Sequence, residues 1–128
     1  MKLLLDTHTF LWLAEDSPKL SSTVKILLDN EDHQLFLSTA SVWEMQIKVN
    51  TGKLKLGQIL SEIIAQQQQI NELKILPIKL EHIWQLKNLP LHHKDPFDRM
   101  IISQAITEDL PVLTIDSKFN QYPINTIW

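Results

Sequence analysis

Lys2-Leu3-Leu4-Leu5-Asp6 opens the chain, and Val112-Leu113-Thr114-Ile115-Asp116 repeats its design near the other end. A short unbroken apolar run reads as a buried strand. In both places an aspartate follows the run. In a parallel α/β sheet the carboxyl ends of strands and the amino ends of helices share one edge, and sites form in the crevice there. Asp6 and Asp116 are therefore expected on that edge.

Working outward, Gln34 to Leu37 and Lys74 to Leu76 read as further strands, and Ile124 to Ile127 as the last. Helical spacing or boundary signals mark Phe10 to Glu15 with Thr9 as its cap, Ser22 to Asn30, Ala40 to Val49, Leu60 to Ile70, Leu80 to Lys87 and Pro96 to Glu108. Asn50-Thr51-Gly52 is a glycine stop, and Asn88 to Asp95 a polar loop. Ile59, Ile63, Ile64 and Ile70 form the apolar side of the fourth helix, with Gln66-Gln67-Gln68-Gln69 as a solvated face. In the last helix Phe97, Ile101, Ile102 and Ala105 face inward. Strands alternating with helices argue a parallel sheet covered on both faces. The 128 residues fit one domain, 1–128.

Two more acids fall at expected helix starts. Ser41-Val42-Trp43-Glu44 has the form of a capping box. In Asp95-Pro96-Phe97-Asp98, Asp95 caps, proline takes the first helical position and Asp98 favours the positive helix end. Taken singly, each of the four acids is explained by a turn or a cap. Taken together, four distant segments deliver Asp6, Glu44, Asp98 and Asp116 to one sheet edge. Carboxylates that close cannot all stay ionised unless a cation neutralises them. Magnesium and manganese favour carboxylate oxygen. Thr7, Thr114 and Ser117 flank the aspartates, where hydroxyls can orient carboxylates or water.

The histidines near the acids, His8, His92 and His93, follow no zinc spacing, so none is expected to ligate. His8 is placed at hydrogen-bonding distance within the site, His92 and His93 in a mobile loop. Lys48, Lys53 and Lys55 around Gly52, with Lys94 and Arg99, form a basic rim able to hold a phosphate backbone. Trp12, Trp43, Trp84 and Trp128 read as core or interface anchors.

Composition narrows the function. A formal charge of −3 argues against a passive nucleic-acid coat, which would be basic, but not against an acidic metal site meeting phosphates through its cation. The absence of cysteine excludes disulfide and thiol chemistry. No apolar run suits a membrane span, and Leu3-Leu4-Leu5-Asp6 is charged too soon for a signal peptide, so a cytoplasmic location is expected.

Taken in order, Leu4-Leu5-Asp6-Thr7-His8, Ser41-Val42-Trp43-Glu44 with Lys48 and Gly52-Lys53-Leu54, His93-Lys94-Asp95-Pro96-Phe97-Asp98-Arg99-Met100, and Leu113-Thr114-Ile115-Asp116 with Phe119 and Trp128 resemble the PIN-domain nucleases. Within them the chain is most similar to the VapC-like toxins of toxin–antitoxin pairs, over Leu3 to Trp128. The resemblance implies a three-layer α/β/α sandwich with a parallel sheet of about five strands. It implies cleavage of RNA phosphodiester bonds with one or two magnesium or manganese ions, an RNA substrate, a small antitoxin partner and a homodimer. Asp6, Glu44, Asp98 and Asp116 match the family's acidic positions, as catalytic residues and metal ligands, and Asp95 is auxiliary. The alternatives are a housekeeping PIN-type nuclease without antitoxin, or a non-catalytic α/β binding module. A phosphoacceptor domain would want adjacent acids after the first strand, where Thr7-His8 stands. An aspartyl-phosphate phosphatase would want an aspartate at His8.

Overall fold

The computed structural model describes residues 1–128. Its centre is a parallel five-stranded sheet of Lys2–Leu5 (β1), Gln34–Ser38 (β2), Lys74–Leu76 (β3), Val112–Leu113 (β4) and Thr126–Ile127 (β5), in the order β3-β2-β1-β4-β5. Six helices accompany it: Thr7–Glu15 (α1), Ser22–Asp29 (α2), Thr39–Asn50 (α3), Leu60–Ile70 (α4), Leu80–Gln85 (α5) and Pro96–Glu108 (α6). This is the parallel α/β architecture that the alternating pattern predicts, with the five strands that the resemblance implies.

Both faces of the sheet are buried, which is why β1 is a continuous leucine run. Leu3 and Leu5 join a core with Phe10 of α1, Val24 and Leu28 of α2, Met45 of α3 and Leu60 of α4. Leu4, one residue out of phase, joins a second core with Ile101, Ile102 and Ala105 of α6 and with Phe119 and Tyr122. Period-two alternation along one strand thus holds three layers together. No helix is long and apolar enough to cross a membrane.

The strand order positions the site. The chain steps outward from β1 to β2 to β3, then returns to pair β4 against the free side of β1. Such a reversal opens a crevice at the carboxyl ends of the two central strands. Asp6 leaves β1 there, its backbone N–H donating to Leu113 O of β4 at 3.2 Å.

Several boundaries differ from expectation, each for a local reason. Asp6 itself caps α1, accepting from Thr9 N at 2.8 Å, so the helix begins at Thr7 rather than Phe10. Thr9 is no cap; its hydroxyl donates to Leu113 O at 2.8 Å. Ser38 caps α3, which places Glu44 in the second turn and removes the capping-box role of Ser41. Gly52 closes that helix with φ +76°, the left-handed conformation that glycine tolerates. The expected fifth helix ends at Gln85 and tightens into a 3-10 turn over Leu86–Asn88. A second such turn, Ser117–Gln121, is capped by Asp116 and has no counterpart in the sequence pattern.

Apolar periodicity overreached at two places. Ile59 and Ile70, at the ends of α4, are exposed, while Leu60 and Gln67 are buried. Trp43 and Trp84 are 60% and 61% exposed, so neither is a core residue. Trp43 instead packs edge-on to Phe97 at 5.2 Å, and Trp12 packs on Trp128 at 5.6 Å.

Candidate active site

At the crevice each acid arrives from a different element. Asp6 ends β1, Glu44 projects from α3, Asp98 sits in the first turn of α6, and Asp116 follows β4 and caps the next turn. Their proximity is visible in Asp98. Burial first, then the charges of Asp95, Glu44, Asp6 and Asp116, push its carboxyl up to about 8. Asp6 is also raised, by burial, against hydrogen bonds from Thr114 and Thr9 that favour the ionised form. The molecule therefore gathers more negative charge than its own cations offset, the condition that a divalent cation relieves.

The hydroxyl residues divide. Thr114 donates to Asp6 Oδ2 at 2.6 Å and receives Asp116 N at 3.0 Å, so one side chain fixes two acids. Thr7 Oγ1 donates to Glu44 Oε1 at 2.8 Å and lies 3.0 Å from Ser41 Oγ. Ser41, fully buried, thus supports Glu44 through Thr7, a role hidden from sequence because the contact spans 34 positions. Ser117 is exposed and makes no hydrogen bond to the acids. Asp95 accepts from Phe97 N at 2.9 Å and Asp98 N at 3.0 Å. It starts α6 and adds to the field on Asp98.

The basic residues also separate. Lys48 Nζ lies 2.9 Å from Glu44 Oε2, and that bond raises its ammonium above the ordinary lysine value, with Asp95 and Asp98 adding to the effect. It is the cluster's own cation rather than part of an outer rim. Lys53, Lys55 and Lys94 are exposed. Arg99 is held elsewhere: its guanidinium donates to Leu89 O, Pro90 O and His93 O at 3.1–3.2 Å. Five fixed donors suit it to gathering carbonyls.

Two expectations about histidine fail. His93 is not in a mobile loop. It is buried, with Nε2 3.0 Å from both Asp98 Oδ2 and Asp116 Oδ2. Arg99, and Tyr122 Oη donating to Pro90 O at 2.7 Å, fasten residues 89–93. His8 is exposed and makes no hydrogen bond within the site; its ring lies 5.9 Å from Trp12. His92, exposed beside Tyr122, lies in a loop as expected.

Arg99→Met should therefore lower stability by on the order of 2 kcal/mol, the scale of lost charge-assisted bonds, and speed amide exchange over residues 89–93. Urea unfolding and hydrogen exchange would show it. Unchanged stability with weakened RNA binding would return Arg99 to the rim.

With this geometry in view, the comparisons are consistent. Residues 3–125 match the PIN domain, and the chain belongs to the PIN-domain family of nucleases. VapBC2 from Rickettsia felis, crystallised with a promoter DNA fragment, contains a chain of similar fold. Its TM-score is 0.75 at 17% identity, covering 100% of this chain and 99% of that one. FitAcB from Neisseria gonorrhoeae superposes with TM-score 0.68 at 18% identity, over 98% and 96% of the two chains. VapBC-5 from Mycobacterium tuberculosis, of the VapBC family of toxin–antitoxin systems, gives 0.62 at 18%, over 98% and 97%. At such identities these likenesses speak to fold. Among curated protein sequences there is no match.

Proposed function

We propose that this chain is a metal-dependent endoribonuclease and the toxin of a toxin–antitoxin pair, acting in the cytoplasm as a homodimer and held by a small antitoxin. The observation that carries the nuclease assignment is the convergence of Asp6, Glu44, Asp98 and Asp116 at the strand-order reversal, with Asp98 raised to about 8 by burial and then by its acidic neighbours. An all-oxygen donor set with surplus negative charge fits magnesium or manganese. The toxin assignment is supported by membership of the PIN-domain family and by likeness in fold to chains of VapBC complexes.

Asp6 and Asp98 would hold the cation directly, with Glu44 and Asp116 completing the set. When bound, a divalent cation supplies activation of water and neutralises charge growing on the phosphate. The chain's own residues supply the rest. Thr114 holds Asp6 Oδ2 and the backbone of Thr9 holds Oδ1, so this carboxylate is oriented before anything binds. Each oxygen keeps a lone pair for a further partner. Thr7 and Lys48 fix the two oxygens of Glu44. Lys53, Lys55 and Lys94, exposed near the acids in sequence, would contact the RNA backbone.

The purified chain should cleave RNA with magnesium or manganese and stop in excess chelator. Its induced expression should slow bacterial growth, and Asp98→Asn should not. Undiminished cleavage in chelator would overturn the metal dependence. Equal growth with soluble protein present would leave a housekeeping nuclease as the better assignment.

A further inference from the structure

His93 is held from several sides. Its backbone N–H donates to Tyr122 Oη at 2.8 Å and its carbonyl accepts from Arg99 at 3.2 Å. Its ring stands edge-on to Phe119 at 5.7 Å. Its Nδ1 accepts the backbone N–H of Asp95 at 3.3 Å. That last contact sets the ring's tautomer: a nitrogen that accepts a hydrogen bond carries no proton, so the proton of the neutral imidazole is on Nε2. Nε2 is the atom 3.0 Å from Asp98 Oδ2 and 3.0 Å from Asp116 Oδ2.

We infer that His93 is a positioning residue of the acidic site, whose Nε2–H bonds Asp116 and stands against Asp98, holding the two acids ready for a cation. The role rests on the assignment of those acids as a cation site. Two carboxyl groups from different elements, both partly exposed, would otherwise be free to turn apart. The ring bonds Asp116 Oδ2 through Nε2 and lies 3.0 Å from Asp98 Oδ2, so one nitrogen brings an oxygen of each acid to a single point. The remaining oxygens, Oδ1 of both, are left to other partners. Asp116 Oδ1 caps the following turn by accepting Lys118 N, so that side chain is held at both ends.

The three donor atoms lie within 4.8 Å of one another, and such a group also invites direct ligation by imidazole. The tautomer argues against it. To bind a cation through Nε2 the neutral ring would need its proton on Nδ1, facing the N–H of Asp95, and the hydrogen bond there would become a clash of two donors. Arg99, Tyr122 and the Asp95 backbone then share one purpose, to hold this ring in one orientation and one tautomer.

Manganese binding by the full chain tests the role, measured by calorimetry and by pulsed electron paramagnetic resonance of the bound ion. His93→Leu should weaken manganese affinity by about 10- to 100-fold, the loss usual when an oriented outer partner is removed. His93→Gln, whose side-chain amide can present a donor at the same place, should recover most of it. The wild-type spectrum should show no coupling to an imidazole nitrogen. Unchanged affinity in His93→Leu, or glutamine as poor as leucine, would overturn the inference, and a coupled nitrogen would replace it with direct ligation. Should His93→Leu fail to fold, long-range proton–nitrogen spectra of the metal-free wild type decide: a proton on Nε2 supports the role and a proton on Nδ1 overturns it. Failure of the wild-type chain to take up manganese would instead sink the cation-site assignment beneath it.

Discussion

Asp98→Asn should lower RNA cleavage by on the order of 10³-fold, the scale at which a preorganised charge-stabilising group is lost, while making the metal-free protein more stable. The two effects share one cause. Asp98 has a side chain 21% exposed; its burial, and then the charges of Asp95, Glu44, Asp6 and Asp116, raise its carboxyl to about 8. A cation site needs it ionised; the metal-free fold favours it neutral. Asparagine keeps the shape and the neutrality but loses the charge. The Asp95 cap of α6 is untouched, because its bonds run to the backbone of Phe97 and Asp98. Circular dichroism melts in chelator and cleavage assays in manganese would read the two sides separately. A variant that is inactive and also less stable would make Asp98 a structural residue, with the lost activity following from a damaged fold.

Much of this was legible in the sequence, and the exceptions follow a pattern. The leucine run of β1, the strand at Lys74–Leu76 and the proline-started helix α6 are local signals that the structure bears out, whereas the caps expected at Thr9 and Ser41 lie at Asp6 and Ser38 instead. Asp95 was recognisable as a cap because cap chemistry lies within three residues. What could not be read were contacts across distant segments. His93 meets Asp116 across 23 positions, and Thr7 meets Glu44 across 37. No spacing rule reports such pairs. Arg99 illustrates the converse error: a cation beside an acidic motif reads as a phosphate contact, yet three carbonyls of the preceding loop occupy it. The exposure of Trp43 and Trp84 was equally hidden, since helical spacing tells which residues share a face, not whether that face is covered.

The second large effect expected is on stability against pH, and it runs opposite to ordinary acid denaturation. Below about pH 4, the unperturbed carboxyl value, Asp98 is protonated in folded and unfolded chains alike, and folding is indifferent to it. Between that value and about 8 the unfolded chain has released the proton while the native chain still holds it. The native state binds more protons, so stability falls as pH rises, by up to about 1.4 kcal/mol per pH unit for a single group. Above about 8 both states are ionised and the loss is complete. Asp6, also raised, adds in the same direction. The contribution of Asp98 is isolated by comparison with Asp98→Asn in chelator, from urea unfolding between pH 5 and 8. The gap between the variant and the wild type should widen with pH over that range and total several kcal/mol. Saturating manganese, which binds the native site and not the unfolded chain, should narrow the gap by raising wild-type stability most at high pH. A gap independent of pH would mean that neither burial nor its acidic neighbours strain Asp98, and the surplus of negative charge that assigns this crevice to a cation would lose its support.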